Sequence, residues 1–282
     1  MECVYLFLIL IMKKTRQPKV GATSRGAKNK EDNSPQVYQK NKISYPLSIA
    51  TRSDFTEKQM DLIDLILDKK NSVIFINGVS GTSKTFTAIY AALQLMNKKT
   101  VSDLVYVRSI AESASKGLGS LPGDFRDKMD PFLMPLEEKL DELLPKADID
   151  RLKKEDRIQG IPVNYLRGAS INAKCVVVDE AQNLTRQELT TVITRIGMYS
   201  KFIFLGDPSQ SDINGKSGFL NMYNKFNQPS SRDVGIHCFT FDKSDVVRSG
   251  ILKHILDRLE DDYTPPSKKV MEGPMFEDQG KS

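Results

Sequence analysis

The sequence predicts an α/β protein with a mostly parallel sheet, and three observations carry that expectation. Val73-Ile74-Phe75-Ile76 is a short apolar run that leads into Gly78-Val79-Ser80-Gly81-Thr82-Ser83-Lys84-Thr85. Cys175-Val176-Val177-Val178 is a second such run and ends in Asp179-Glu180. Runs without polar alternation read as strands covered on both faces, the condition of a parallel sheet between helix layers. Between the runs, apolar residues recur at helical spacing, so strands and helices alternate along the chain.

Residues 1–45 are expected to form a disordered basic arm. Cys3 to Met12 is apolar but too short to span a bilayer. It also lacks the basic start and small-residue cleavage site of a signal peptide. Residues 1–11 are therefore read as a start-site artefact, with translation beginning at Met12, and no membrane partner is expected. Lys13 to Lys42 offers almost no large apolar residue to offset its ordering entropy. Such an arm can hold nucleic acid by counterion release or can simply be solvated. Residues 46–261 form the expected core domain, and 262–282, rich in Pro, Gly and charge, a disordered tail.

In the core, Thr56 and Gln59 form a capping box for a helix with Met60, Ile63, Ile66 and Leu67 on its apolar side. A helix follows the Gly-rich turn over Phe86 to Met96, then a strand over Asp103 to Arg108. Leu118 to Asp124 reads as a turn-rich loop. Asp130 to Leu144 reads as an amphipathic helix bearing Phe132, Leu133, Leu136, Leu140 and Leu143. Lys146 to Arg157 is expected to be a solvated connection, and Ile161 to Leu166 a strand ending in Arg167-Gly168. Thr185 and Glu188 make a second capping box, and Lys201 to Leu205 and Gly235 to Phe241 are further strands. Ser244 is expected to cap a helix reaching Glu260, with Val247, Ile251, Ile255 and Leu259 on one stripe.

The chemistry concentrates at two strand ends. Strand, Gly-rich turn and helix N-terminus in that order make a phosphate cradle, because the turn's N–H groups and the helix's positive end both face the ligand. Gly78, Val79, Ser80, Gly81, Thr82 and Ser83 supply the turn, Lys84 reaches the β- and γ-phosphates of ATP, and Thr85 ligates Mg²⁺. Ser83 stands where the pattern has its second glycine. Asp179 is suited to hold Mg²⁺ and Glu180 to polarise the attacking water. A strand-ending acidic turn ahead of the next helix is the bland alternative. Gln210, in Gly206-Asp207-Pro208-Ser209-Gln210, is the expected γ-phosphate sensor, against a plain turn. Gln59 has two compatible readings, the helix cap and an adenine reader whose amide matches the base's N6 and N7. Arg108 and Arg167, both at strand ends, can touch nucleic acid or pair with nearby carboxylates. Arg248 is a cation in a helix's first turn, where it opposes the dipole and hints at an anionic partner.

The net charge of +5 mildly favours an anionic partner. Three cysteines without paired spacing and two isolated histidines exclude a disulfide framework and a zinc site, which suits a reducing cytosol.

Together Gln59, GVSGTSKT at 78–85, VYVRS at 105–109, LGSLPGD at 118–124, NYLRG at 164–168, VVVDEAQN at 176–183, GDPSQ at 206–210 and DVVRSGIL at 245–252 resemble the PhoH-like family of P-loop ATPases, in its phage type. The resemblance spans residues 52 to 260 and rests most on DEAQN, GDPSQ and VVR in that order. It implies a three-layer α/β/α sandwich with a RecA-like P-loop core, ATP hydrolysis, a homo-oligomer forming a hexameric ring, and RNA metabolism linked to phosphate stress. By the same resemblance Gln59 contacts adenine, Gln210 senses the γ-phosphate and Arg248 is an arginine finger, in cis or from a neighbouring subunit. Some relatives carry an amino-terminal PIN ribonuclease domain. The residues before this core leave no room for it, so no nuclease activity in cis is expected.

The leading expectation is a cytoplasmic ATPase (host cytoplasm, if phage-encoded) coupled to RNA or single-stranded nucleic acid. The alternative is a nucleotide-gated assembly or binding protein with little turnover, motivated by Ser83. A P-loop kinase would need an acceptor lid, and no segment reads as one.

Overall fold

The structure is a computed structural model that describes residues 42–109, 125–163, 166, 170–213, 215–247 and 258. For residues 125–132 only the backbone is described. All belong to one unit, residues 38–282. The arm over 1–41, the loop at 118–124, Arg167, Arg248 and the tail lie outside the described residues.

Six strands form one parallel sheet: β1 (Val73–Gly78), β2 (Asp103–Arg108), β3 (Ile158–Pro162), β4 (Lys174–Asp179), β5 (Lys201–Gly206) and β6 (Ile236–Phe241), in the order β3-β2-β4-β5-β1-β6. The helices are α1 (Glu57–Leu67), α2 (Lys84–Asn97), α3 (Phe125–Leu143), α4 (Lys146–Lys154), α5 (Arg186–Ile193), α6 (Phe219–Phe226) and α7 (Pro229–Asp233).

Alternate strand residues feed two cores. Ile74, Ile76, Leu104, Tyr106, Cys175, Val177, Ile203 and Leu205 pack under α1 to α4. Val73, Phe75, Val105, Val107, Val176, Val178, Phe202 and Phe204 pack against α5 and α6. On that second face Phe75 stacks on Phe204 at 4.7 Å and on Phe226 at 5.5 Å. A sheet buried on both faces explains the unbroken apolar runs, and the result is the expected three-layer α/β/α sandwich on a parallel sheet.

Both capping boxes form: the Thr56 hydroxyl accepts from the Gln59 N–H, and the Thr185 hydroxyl from the Glu188 N–H, each reciprocated by the third residue's side chain. Four expectations are corrected. Met60 is 55% exposed, whereas Gln59, Leu62, Ile63 and Ile66 form the buried stripe of α1. The capping glutamine takes the inward position and rotates the apolar face. Lys146 to Lys154 is helical, since Ile149 and Leu152, three apart, both reach the core. The third strand lies at Ile158–Pro162, earlier than 161–166, because its register against Leu104–Arg108 fixes it. Ser244 caps no helix: Lys243–Asp245 is a 3₁₀ turn closed by Asp242 and Asp245 capping each other, and Val246 is extended. Packing also begins before residue 46, since Ile43 is only 2% exposed.

The sheet order positions the site. Strand β5 lies between β1 and β4, so the phosphate loop, the Asp207 turn and the Asp179-Glu180 pair emerge side by side at the carboxyl edge, with Arg108 beside Asp179 on β2. Open α/β sheets bind ligands at this edge.

Candidate functional site

The loop leaves β1 at Gly78, where a Cβ would lie 2.7 Å from the Phe241 Cβ. The first glycine is thus demanded by contact with β6. Gly81 takes φ +89° and Ser83 φ 59°, ψ 29°, ahead of α2. Ser83 therefore occupies the left-handed region that glycine enters without penalty. Inside the loop, Lys84 Nζ donates to the carbonyls of Gly78 and Val79 at 2.5 and 2.9 Å, and the Thr82 hydroxyl donates to Val79 O at 2.9 Å. Gln59 is buried behind the loop: its Nε2 donates to Thr82 O at 3.2 Å and its Oε1 accepts from the Thr56 N–H at 3.0 Å. Both ends of this amide are engaged, and they tie α1 to the loop.

At the end of β4, Asp179 gathers three donors. Its Oδ1 accepts from the Thr85 hydroxyl at 3.0 Å and the Glu180 N–H at 3.1 Å, and its Oδ2 from the Tyr106 hydroxyl at 2.5 Å. Burial, with the Asp179 carboxylate alongside, pushes the Tyr106 phenol far above its ordinary range, so it stays a donor. Thr85 and Asp179 are thus adjacent oxygen donors that fit a Mg²⁺ ion completed by phosphate and water. Among the described residues no group of three or more His, Cys, Asp or Glu could form an all-protein metal site.

Glu180 adopts φ 52°, which turns its side chain away from the strand line. Its Oε2 accepts from Gln182 Nε2 at 2.6 Å, and its Oε1 lies 3.8 Å from the Arg108 guanidinium. Gln182 is fully buried, and its Oε1 accepts from the Asp207 N–H at 3.0 Å. Asp207 is itself buried: Oδ2 accepts from the Ser80 N–H at 2.8 Å, and Oδ1 accepts from the Ser209 N–H at 3.1 Å and from its hydroxyl at 2.5 Å. Gln210 is exposed, in the 3₁₀ turn Pro208–Gln210 that follows.

Glu180, Gln182, Asp207, Ser80 and Gln210 line one cavity of about 370 Å³, together with Arg52, Phe86, Lys139, Glu142 and Val247. Arg52 holds its guanidinium 4.8 Å over the Phe86 ring, and the Val247 N–H donates to Gly81 O at 3.0 Å. Ser80, Gly81, Ser83, Lys84, Thr85, Asp179, Glu180 and Gln210 all face this cavity; Gln59, Gly78, Val79, Thr82 and Arg108 are outside its lining. Arg108, expected on a nucleic-acid surface or beside a carboxylate, takes the second option with Glu180. Sequence reasoning alone does not single out Tyr106, Gln182 or Asp207 as site residues. A phenol inside an apolar strand was the one visible signal for Tyr106; the other two reach their partners only through the sheet order. No helix among the described residues is long and apolar enough to cross a membrane.

The family described as "PhoH-like protein" matches residues 52–260. A PhoH-like protein of Synechocystis sp. is 36% identical over 206 residues, 71% of this chain and 61% of its own length. A PhoH-like protein of Bacillus subtilis is 33% identical over 189 residues, 67% of this chain and 58% of its own. The match thus spans about three fifths of these relatives' length. Among solved structures, the large terminase of a thermophilic bacteriophage aligns at TM-score 0.48 and 12% identity, over 76% of this chain and 52% of that one. With the family match running over residues 52–260, most of its length, the chain belongs to the PhoH-like protein family.

Proposed function

We propose that this chain is a Mg²⁺-dependent ATPase coupled to RNA or other single-stranded nucleic acid. The observation that carries the reading is the 3.0 Å contact of Thr85 with Asp179 beside the loop that holds Lys84. Thr85 and Asp179 would hold Mg²⁺, which when bound neutralises charge on the phosphate oxygens. Lys84 exchanges its two loop carbonyls for the β- and γ-phosphates. Glu180 takes the proton of the water whose oxygen bonds to the γ-phosphorus as the bond to the ADP oxygen breaks. Gln210 senses the γ-phosphate, and Arg248 serves as an arginine finger in a ring-shaped homo-oligomer. The cytoplasmic setting, suggested by the unpaired cysteines, and a link to phosphate stress, suggested by the family resemblance, belong to the same proposal.

Purified protein is expected to turn over ATP with Mg²⁺ and to lose turnover in Lys84→Ala and Glu180→Gln. Absence of turnover with or without RNA and single-stranded DNA overturns the reading. The second reading, nucleotide-gated assembly with little turnover, is favoured by the left-handed Ser83. It predicts tight ATP binding, no hydrolysis, and no recovery in Ser83→Gly.

A further inference from the structure

Glu180 is held from two sides by different means. On the inner side a fully buried amide, Gln182, fixes Oε2 at 2.6 Å. On the outer side Arg108 faces Oε1 at 3.8 Å, with side chains 29% and 37% exposed. The inner contact is short and enclosed; the outer one is long and open to solvent, the kind of ion pair worth little and readily exchanged. Arg108 is carried there by β2, which lies beside β4 in a register that opposes Arg108 to Asp179.

We propose that Arg108 is a restraining residue, and that a phosphodiester of a bound single-stranded nucleic acid releases Glu180 by taking the guanidinium from it. This deepens the ATPase reading and rests on it for its catalytic half. A guanidinium binds phosphate through two parallel donors and prefers it to one distant carboxylate oxygen. While Arg108 faces Oε1, the guanidinium charge draws on that oxygen and makes it a weaker base towards water. Once the arginine moves to the strand, Gln182 still holds Oε2, so Glu180 keeps its place and gains a free oxygen for the attacking water. Gln182 is then the fixed half of the device and Arg108 the movable half.

The test is a double-mutant cycle read by binding, with turnover alongside. Wild type, Arg108→Ala, Glu180→Gln and the double variant are titrated with a single-stranded oligouridylate over a salt series. Glu180→Gln should bind about two- to fivefold more tightly than wild type, the range an exposed ion pair supports. In the Arg108→Ala background the same change should have no effect, and the salt slope should fall by about one phosphate contact. An equal effect of Glu180→Gln in both backgrounds overturns the proposal, because it would then reflect general charge alone. In turnover, Arg108→Ala should raise the basal rate and abolish stimulation by the oligonucleotide, with Arg108→Lys intermediate. A lowered basal rate, or intact stimulation, overturns the catalytic half. No turnover in wild type overturns the ATPase reading, while the binding cycle still decides whether Glu180 and the strand compete for Arg108.

Discussion

Asp207 accepts a hydrogen bond from the Ser80 backbone N–H at 2.8 Å, across 127 residues of sequence. A buried carboxylate therefore stands on an amide of the phosphate loop, in the cavity where a polyphosphate would lie. Arriving phosphate must compete with this acid for the amide and meets like charge. Asp207→Asn should tighten nucleotide binding severalfold while destabilising the free protein by about 1–3 kcal/mol, the cost of losing charge-assisted bonds to a buried group. Calorimetric titration and thermal unfolding of the same samples check both signs.

Tyr106 supplies the donor that orients Asp179 Oδ2. Outer partners of metal ligands typically change metal affinity about 10–100-fold. Tyr106→Phe should raise the Mg²⁺ concentration needed for half-maximal turnover by about tenfold, with nucleotide affinity in the absence of Mg²⁺ unchanged. An unchanged Mg²⁺ requirement counts against this role.

Ser83 bears a left-handed backbone, which costs a non-glycine residue about 1–2 kcal/mol. Glycine removes that strain but gives the unfolded chain more freedom, about 0.5–1 kcal/mol. Ser83→Gly should therefore be stabilising by no more than about 1.5 kcal/mol, whereas Ser83→Val should be clearly destabilising. Denaturant midpoints measured on the three proteins decide this.

Lys201 is buried at the opposite edge of the sheet, where its Nζ donates to the carbonyls of Asp68 and Asn71, both at 2.5 Å. Burial lowers its pKa from 10.5 to about 8. Between those values the unfolded chain holds more protons than the folded one, so this group's contribution to stability grows as pH rises from about 8 towards 10.5. Lys201→Met should lack that growth. Subtracting its unfolding free energies from wild type at each pH isolates the effect from other titrating groups, and a flat difference refutes it.

Much of this architecture is written locally. The phosphate loop spans eight consecutive residues, and both capping boxes join a hydroxyl to a backbone N–H three positions on. The β-branched runs need only their own residues to exclude a half-solvated strand. Such patterns survive without knowledge of neighbours. The misread segments are those whose placement depends on neighbours: α4 has two large apolar residues, Ile149 and Leu152, and becomes a helix because both find the core, and β3 is fixed by its partner β2.

The order of strand, phosphate loop and helix, the acid pair at the end of β4 and the family to which these belong are all legible in the residues alone. Those features are short-range, and their chemistry follows from residue type and spacing. Which groups act on each other follows from the sheet order. By seating β5 between β1 and β4, the sheet brings Asp207 to Ser80; by seating β2 beside β4, it brings Tyr106 to Asp179 and Arg108 to Glu180. Parallel pairing makes distant segments neighbours at one edge, and no local periodicity encodes which strands will pair.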